Sequence, residues 1–241
     1  MRTCNKVVSV PVAAGAIFAQ MPVEPNLPRV FDFGARDARL PAPTGYANIN
    51  RYYLTPDGND LRHIACPWDY FPAASREGAL ALMGDPFAMP PVRRTVEPRC
   101  GTVVHDVAGT AQGNWFGYPT TGAMYDEPPP QEDKVVSLVR DPMYPARPLF
   151  SVGSMSNLGP GRYYFTVQAT GRVNRDFPAL TAGSGVHCYE SLTEQNGQSK
   201  GSGIILVEAT ADNKLRLERM SFASCGPGPW TFGVSATTFD R

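Results

Sequence analysis

Ile204-Ile205-Leu206-Val207-Glu208-Ala209-Thr210-Ala211-Asp212-Asn213-Lys214-Leu215-Arg216-Leu217-Glu218 reads as a β-hairpin. The residues from Ala209 to Lys214 separate a continuous apolar run, Ile204-Ile205-Leu206-Val207, from the alternating Leu215-Arg216-Leu217-Glu218. Asp212-Asn213 suit the turn because their short polar side chains bond the local backbone. Alternation at period two sends Leu215 and Leu217 to one face of a strand. Segments of the same kind lie near 101–107, 111–116, 134–140, 149–153, 163–168, 185–190, 203–210, 214–220 and 230–239. About nine short strands with frequent turns, and no strand-helix-strand alternation, predict a mainly β fold: an antiparallel β-barrel of about eight to ten strands.

Upstream the texture differs. Residues 21–58 are rich in Pro, Arg and Asp and read as an extended arm wrapped on a core made elsewhere. Within it, 48–54 predicts a strand with Tyr52 and Leu54 on one face, followed by the turn Thr55-Pro56-Asp57-Gly58. Ahead of the arm, Val8, Val10 and Val12 alternate as in an N-terminal strand. A secretory signal would place Arg2 and Lys6 before the same run and cleave near Ala14-Gly15-Ala16, but the run is short and interrupted by Pro11. One short helix is predicted near 75–83, with Ser75 as N-cap and Glu77 in the first turn. Ala79, Leu80, Leu82 and Met83 form its apolar face, and Gly84 and Pro86 stop it. It would plug or cover one barrel end. The expected organisation is 1–60 as N-terminal strand and wrapping arm, 61–99 as a helix-containing connection, and 100–241 as the barrel domain.

The 241 residues suffice for one large all-β domain or two small ones. Glycine (23) and proline (24) make up about a fifth of the chain, which favours short elements joined by turns. A hydrophobic share of 42% excludes a wholly disordered chain. Twenty-two basic residues balance 22 acidic ones and no basic stripe stands out, which argues against a nucleic-acid partner. No apolar run approaches the roughly 18 residues of a membrane span. The five cysteines, Cys4, Cys66, Cys100, Cys188 and Cys225, contain no C-x-x-C pair, so zinc-ribbon and thioredoxin chemistry lack their spacing. The expectation is five mostly buried free thiols in a reducing compartment. Should a bridge form, Cys66 or Cys100 would join Cys225, because the loop Cys225-Gly226-Pro227-Gly228-Pro229 gains from being pinned.

Candidate chemistry concentrates in two places. In the stretch from His105 to Phe116, a strand would present Gln112, Asn114 and Phe116 on one face and Gly113 and Trp115 on the other. An amide-rich face suits a polar cavity wall, with Asp106 at its rim and Trp115 in the core. Gly113-Asn114-Trp115 resembles the first strand of lipocalin-like barrels, in which the Trp packs the closed end. In the second place His187 and Tyr189 share one face, with Cys188 and Glu190 on the other. A His-x-Tyr pair facing a cavity offers an acid and a base for proton transfer. Arg175, in the loop Asn174-Arg175-Asp176, would recognise an anionic ligand at the cavity mouth or simply pair with Asp176. The three histidines, His63, His105 and His187, include no H-x-H or H-x-x-x-H pair, so neither a metal nor another cofactor is expected. No G-x-S-x-G elbow occurs, although Gly183-Ser184-Gly185 is present, and an α/β-hydrolase is excluded.

From 98 to 241, about 60% of the chain, the sequence resembles a group of uncharacterised environmental bacterial proteins. The shared residues are Cys100-Gly101, Asp106-Val107, Gly109-Thr110-Ala111-Gln112-Gly113-Asn114-Trp115-Phe116, Val173-Asn174-Arg175-Asp176-Phe177, Cys188-Tyr189-Glu190 and Gly228-Pro229-Trp230. The resemblance implies one shared domain and no particular substrate. Three functional expectations follow from the residues. The first is a barrel that binds a small molecule in a partly apolar cavity, using Gln112, Asn114, Trp115 and Arg175. The second is a cofactor-independent hydrolase or isomerase using His187, Tyr189, Asp106 and Glu190 as acid-base groups in the same cavity. The third is a structural homo-oligomer, assembled by adding the N-terminal strand to a neighbour's sheet edge.

Overall fold

The computed structural model describes residue 11 and residues 34–52, 61–85, 90–117, 135–153, 158–194, 201 and 203–241. The chain divides into two units, Met1–Phe33 and Gly34–Arg241, and the account below concerns the second. The strand expected around Val8, Val10 and Val12 and the turn expected at 55–58 lie outside the described residues.

Two small pairs come first: β1 (Ala35–Arg36) with β2 (Ile64–Ala65), and β3 (Gly84–Asp85) with β4 (Val92–Arg93). One helix, α1 (Ala73–Leu82), lies between them in the chain. The remaining strands are β5 (Gly113–Phe116), β6 (Val135–Arg140), β7 (Pro148–Val152), β8 (Gly161–Tyr164), β9 (His187–Tyr189), β10 (Ile204–Ala211), β11 (Lys214–Met220) and β12 (Thr237–Asp240). They form one antiparallel sheet in the order β8-β7-β6-β5-β12-β11-β10-β9. The sheet is therefore two consecutive four-stranded meanders placed side by side. The hairpin at 204–220 forms as expected, with Ala209 opposite Leu215, Ala211 opposite Lys214, and a bulge between them.

The expected closed barrel is corrected to an open, strongly curled half-barrel. Edge strand β8 touches the segment that follows β9 at one point, where Tyr164 and Thr193 exchange a pair of 2.9 Å backbone hydrogen bonds. Closure fails for a physical reason. On the outer side of the three-residue β9, the Cys188 N–H already donates to the Arg172 carbonyl (3.0 Å) and the Cys188 carbonyl already accepts from Asn174 (2.8 Å). An edge whose backbone groups are satisfied by a loop has none left for another strand.

The meanders meet through a single residue pair, Phe116 with Asp240. Arg241 reinforces that thin seam. Its guanidinium donates to the carbonyls of Gln112 (2.9 Å), Thr110 (2.6 Å) and Asp212 (3.2 Å), and it stacks on the Trp115 ring at 4.2 Å. The side chain is buried, and desolvation lowers its pKa from the ordinary arginine value.

Alternation decides what fills the curl. Trp115, Val136, Leu138, Phe150, Val152, Tyr163, Tyr189, Ile205, Val207, Leu215, Leu217 and Phe239 all point to the concave side and form one buried cluster. Phe150, Phe165, Phe177 and Tyr189 meet within it at ring separations of 4.7–5.8 Å. Most of these contacts are edge-on, the arrangement that ring quadrupoles favour. The expected placement of Trp115 in the core holds. Phe177 enters from a 3-10 turn, Phe177–Ala179, whose N-terminus is capped by Asp176 accepting from the Phe177 N–H at 3.0 Å.

Four elements differ from expectation, the first being the strand expected at 230–239, which is confined to Thr237–Asp240. The helix begins at Ala73, after Pro72, because the strong helix formers Ala73 and Ala74 extend it upstream of Ser75. Of its residues only Leu80 is buried, and its main neighbour is the 3-10 turn Pro67–Tyr70, to which Arg76 and Asp69 tie it with a 2.9 Å ion pair. In place of the strand at 48–54, Ile49–Tyr52 is a 3-10 turn, started by the Asn48 side chain accepting from Asn50 and the Asn48 carbonyl accepting from Arg51. The segment 101–107 is a loop in which the Thr102 hydroxyl accepts from the Val104 N–H.

The cysteine expectation is also corrected. Cys66 is bonded to Cys100, and Cys188 to Cys225. The first bridge closes the helix-containing connection into a loop. The second forms because Cys188 alternates with the inward Tyr189 and so points off the outer face, where the loop carrying Cys225 lies.

Candidate functional site

The run Ile204-Ile205-Leu206-Val207 is apolar at every position, so both faces of β10 need cover. Ile205 and Val207 find it inside. Ile204 and Leu206 point outward with Cys188, and the loop after Met220 returns across them. That loop is fixed at several points. Cys225 is tied to Cys188 by the disulfide, its N–H donates to Glu190 Oε2 at 2.6 Å, and its carbonyl accepts from Trp230 Nε1 at 2.7 Å. The Gly233 N–H donates to Glu218 Oε2 at 2.6 Å. The approach is close: a Cβ at Gly233 would stand 2.9 Å from Glu218 Oε1. Arg216 lies over the Phe232 ring at 4.5 Å.

Glycine and proline span the face without filling it. The result is a groove of about 610 Å³ with a floor of Ile204, Leu206 and Met220 and walls that include Phe222, Pro229, Trp230 and Phe232. Its polar lining is confined to Ser224, Thr231 and backbone. No titratable side chain lines it, because Cys225 is in a disulfide. Phe222 is 59% exposed at the rim. A smaller groove of about 310 Å³, lined by Arg172, Val186, Gly228, Pro229 and Trp230, shares Pro229 and Trp230 with the first.

The residues singled out from sequence fall elsewhere. Asn114 lies on the outer face of β5, opposite Trp115, and donates to the Tyr52 hydroxyl at 2.9 Å. Gln112 precedes the strand and donates to the His105 carbonyl at 3.4 Å. Asp106 is a clamp: one oxygen accepts from the Asn114 N–H (2.9 Å) and the other from the Ala47 N–H (2.8 Å), tying the 34–52 segment to β5. Trp115 donates to the Ala111 carbonyl at 2.8 Å. Arg175 donates to the carbonyls of Gln168 and Ala169, closing its own loop. Glu190 holds Cys225, as described above.

His187 and Tyr189 share a face as expected but have separate surroundings. The Tyr189 hydroxyl donates to the Arg175 carbonyl at 2.8 Å within the aromatic cluster, and burial pushes its pKa well above the usual phenol value. His187 lies at the sheet end, with Nε2 3.2 Å from Ser184 Oγ. Its Nδ1 is buried without a partner among the described residues. Desolvation and the nearby Arg172 and Arg175 lower its pKa to about 4, so it is neutral at pH 7. The structure does not bring the Asn114 face and the Tyr189 face together, because they are opposite faces of one sheet. Among the described residues no three His, Cys, Asp or Glu side chains are arranged to hold a metal ion, and no helix is long and apolar enough to cross a membrane.

Sequence reasoning missed the groove. The available signal was the unbroken apolar run 204–207, which demands cover on two faces, beside a Gly/Pro loop too poor in side-chain volume to supply it. Comparison of the chain with known protein families, curated proteins and solved structures finds no match.

Proposed function

We propose that the protein is a non-catalytic binding module whose ligand, a small and largely apolar molecule, lies in the outer groove against Trp230. The observation that carries this reading is the groove itself: a volume of about 610 Å³, within the roughly 300–1,000 Å³ of small-molecule sites, with apolar and aromatic walls and no acid or base. Anchoring of the loop at Cys225, Trp230 and Gly233 supports it further, since a pre-formed wall loses little freedom when a ligand arrives. Two disulfides fit a protein that folds in an oxidising compartment.

The test is a titration with phenylnaphthylamine, a neutral apolar dye, followed by its own fluorescence and by tryptophan quenching. Saturable one-to-one binding that weakens at least ten-fold in Trp230→Ala is the expected result. Absence of saturable binding, or equal affinity in the variant, overturns the reading.

The enzyme alternative retains one observation in its favour, the contact between Ser184 and His187. With its pKa near 4, His187 is a weak base for activating a hydroxyl, and among the described residues no carboxylate orients Nδ1. Turnover of an activated ester, lost in Ser184→Ala, would establish that alternative.

A further inference from the structure

We infer that the ligand is an amphiphilic anion: an apolar body lying in the outer groove, with a carboxylate, sulfonate or similar head at Arg172. This rests on the groove being the ligand seat and goes beyond it by naming the chemical class.

The observations concern charge and a shared wall. The large groove is uncharged, and the smaller one that shares Pro229 and Trp230 with it contains a single charged side chain, Arg172. A molecule that reaches past Trp230 from the larger groove into the smaller would pass from Leu206 and Met220 to the Arg172 guanidinium. Arg172 has no carboxylate partner among the described residues. Its guanidinium is positioned by close approach to Gly185, where a Cβ would stand 2.8 Å from Nη1. Gly185 has a φ of +80°, so its place beside Arg172 depends on a residue that tolerates that conformation. Glu190 and Glu218, the carboxylates that hold the loop, are bonded to the N–H groups of Cys225 and Gly233. An arginine fork with no carboxylate partner among the described residues, in a groove that shares its aromatic wall with an apolar one, suits a planar or tetrahedral oxyanion. Another cation, Arg216, stacks on the ring of Phe232 in the wall of the larger groove and serves as the control.

The experiment compares two dyes with one aromatic skeleton, phenylnaphthylamine and anilinonaphthalene sulfonate, at low ionic strength. The sulfonate is expected to bind about ten-fold more tightly than the neutral dye. Arg172→Gln should abolish that gap while leaving neutral-dye affinity unchanged, and Arg216→Gln should preserve it. Decanoate should displace the sulfonate better than decanol does. Equal affinities in the parent protein, a gap that survives Arg172→Gln, or a gap lost in Arg216→Gln would each overturn the inference while leaving the groove as a seat for neutral ligands. Failure of both dyes to bind in a Trp230-dependent way overturns the groove reading, and the inference with it. Retained cooperative melting of each variant excludes dye uptake by unfolded protein.

Discussion

The two faces of β10 are equally apolar in sequence and end in opposite states. Inside, Ile205 and Val207 are sealed by side chains from seven other strands and from the Phe177 turn. Outside, Ile204 and Leu206 are roofed by a loop of glycine, proline and a few aromatics, held at fixed points. The difference lies in who supplies the cover. Strands in a curled sheet converge and interdigitate on the concave side, whereas the convex side diverges and depends on whatever segment crosses it. A convex apolar face under a stiff, sparse loop is therefore a natural place for a groove.

The sharpest way to break this comparison is to remove one tryptophan from each side. Trp115→Ala, in the sealed interior, should cost about 3–5 kcal/mol in chemical denaturation. Trp230→Ala, on the half-covered side, should cost no more than about 1 kcal/mol while weakening dye binding at least ten-fold. Similar losses from the two would mean that the outer aromatic is as much core as the inner one.

A smaller effect is expected from opening the roof. Replacing Cys188 and Cys225 together by serine should lower stability by about 2–4 kcal/mol and weaken groove binding. The matching change at Cys66 and Cys100 should leave dye affinity unchanged, because that bridge closes a different segment. Loss of binding in both double variants would show that the groove depends on global stability and not on its own anchor.

The seam between the meanders comes next. Arg241→Ala leaves the carbonyls of Thr110, Gln112 and Asp212 without their donor and should cost about 2 kcal/mol. Arg241→Lys should recover only part of this, since an ammonium cannot reach all three acceptors in one plane. Full recovery by lysine would assign the effect to charge and not to the fork.

The smallest effect is a pH dependence. His187 has a folded-state pKa of about 4 against an ordinary 6.5, so the unfolded chain binds the proton more tightly. Its contribution is fully present above about pH 6.5 and is lost as pH falls toward 4, with a slope of at most about 1.4 kcal/mol per pH unit. His187→Gln should flatten the stability profile between pH 4 and 6.5. An unchanged profile would place the titration elsewhere.

Period-two alternation and turn chemistry are properties of neighbouring residues, and what depends on them was legible in the chain: the mainly β class, the hairpin at 204–220, and the shared face of Leu215 and Leu217. The same local logic put Asn114 and Phe116 opposite Trp115, and His187 and Tyr189 on one face, as observed. It could not say which face was the inner one, and so an amide-rich outer face was read as a cavity wall. Closure, disulfide partners and the groove were decided by contacts between residues far apart in sequence. Arg172 and Asn174 occupy the edge that a closing strand would need. Cys188 finds Cys225 across a separation of 37 residues because alternation points it outward beneath the loop. Arg241 completes the seam with residues more than a hundred positions away. Such contacts are absent from any local window, because they exist only after the strands have chosen their neighbours and the sheet its curvature.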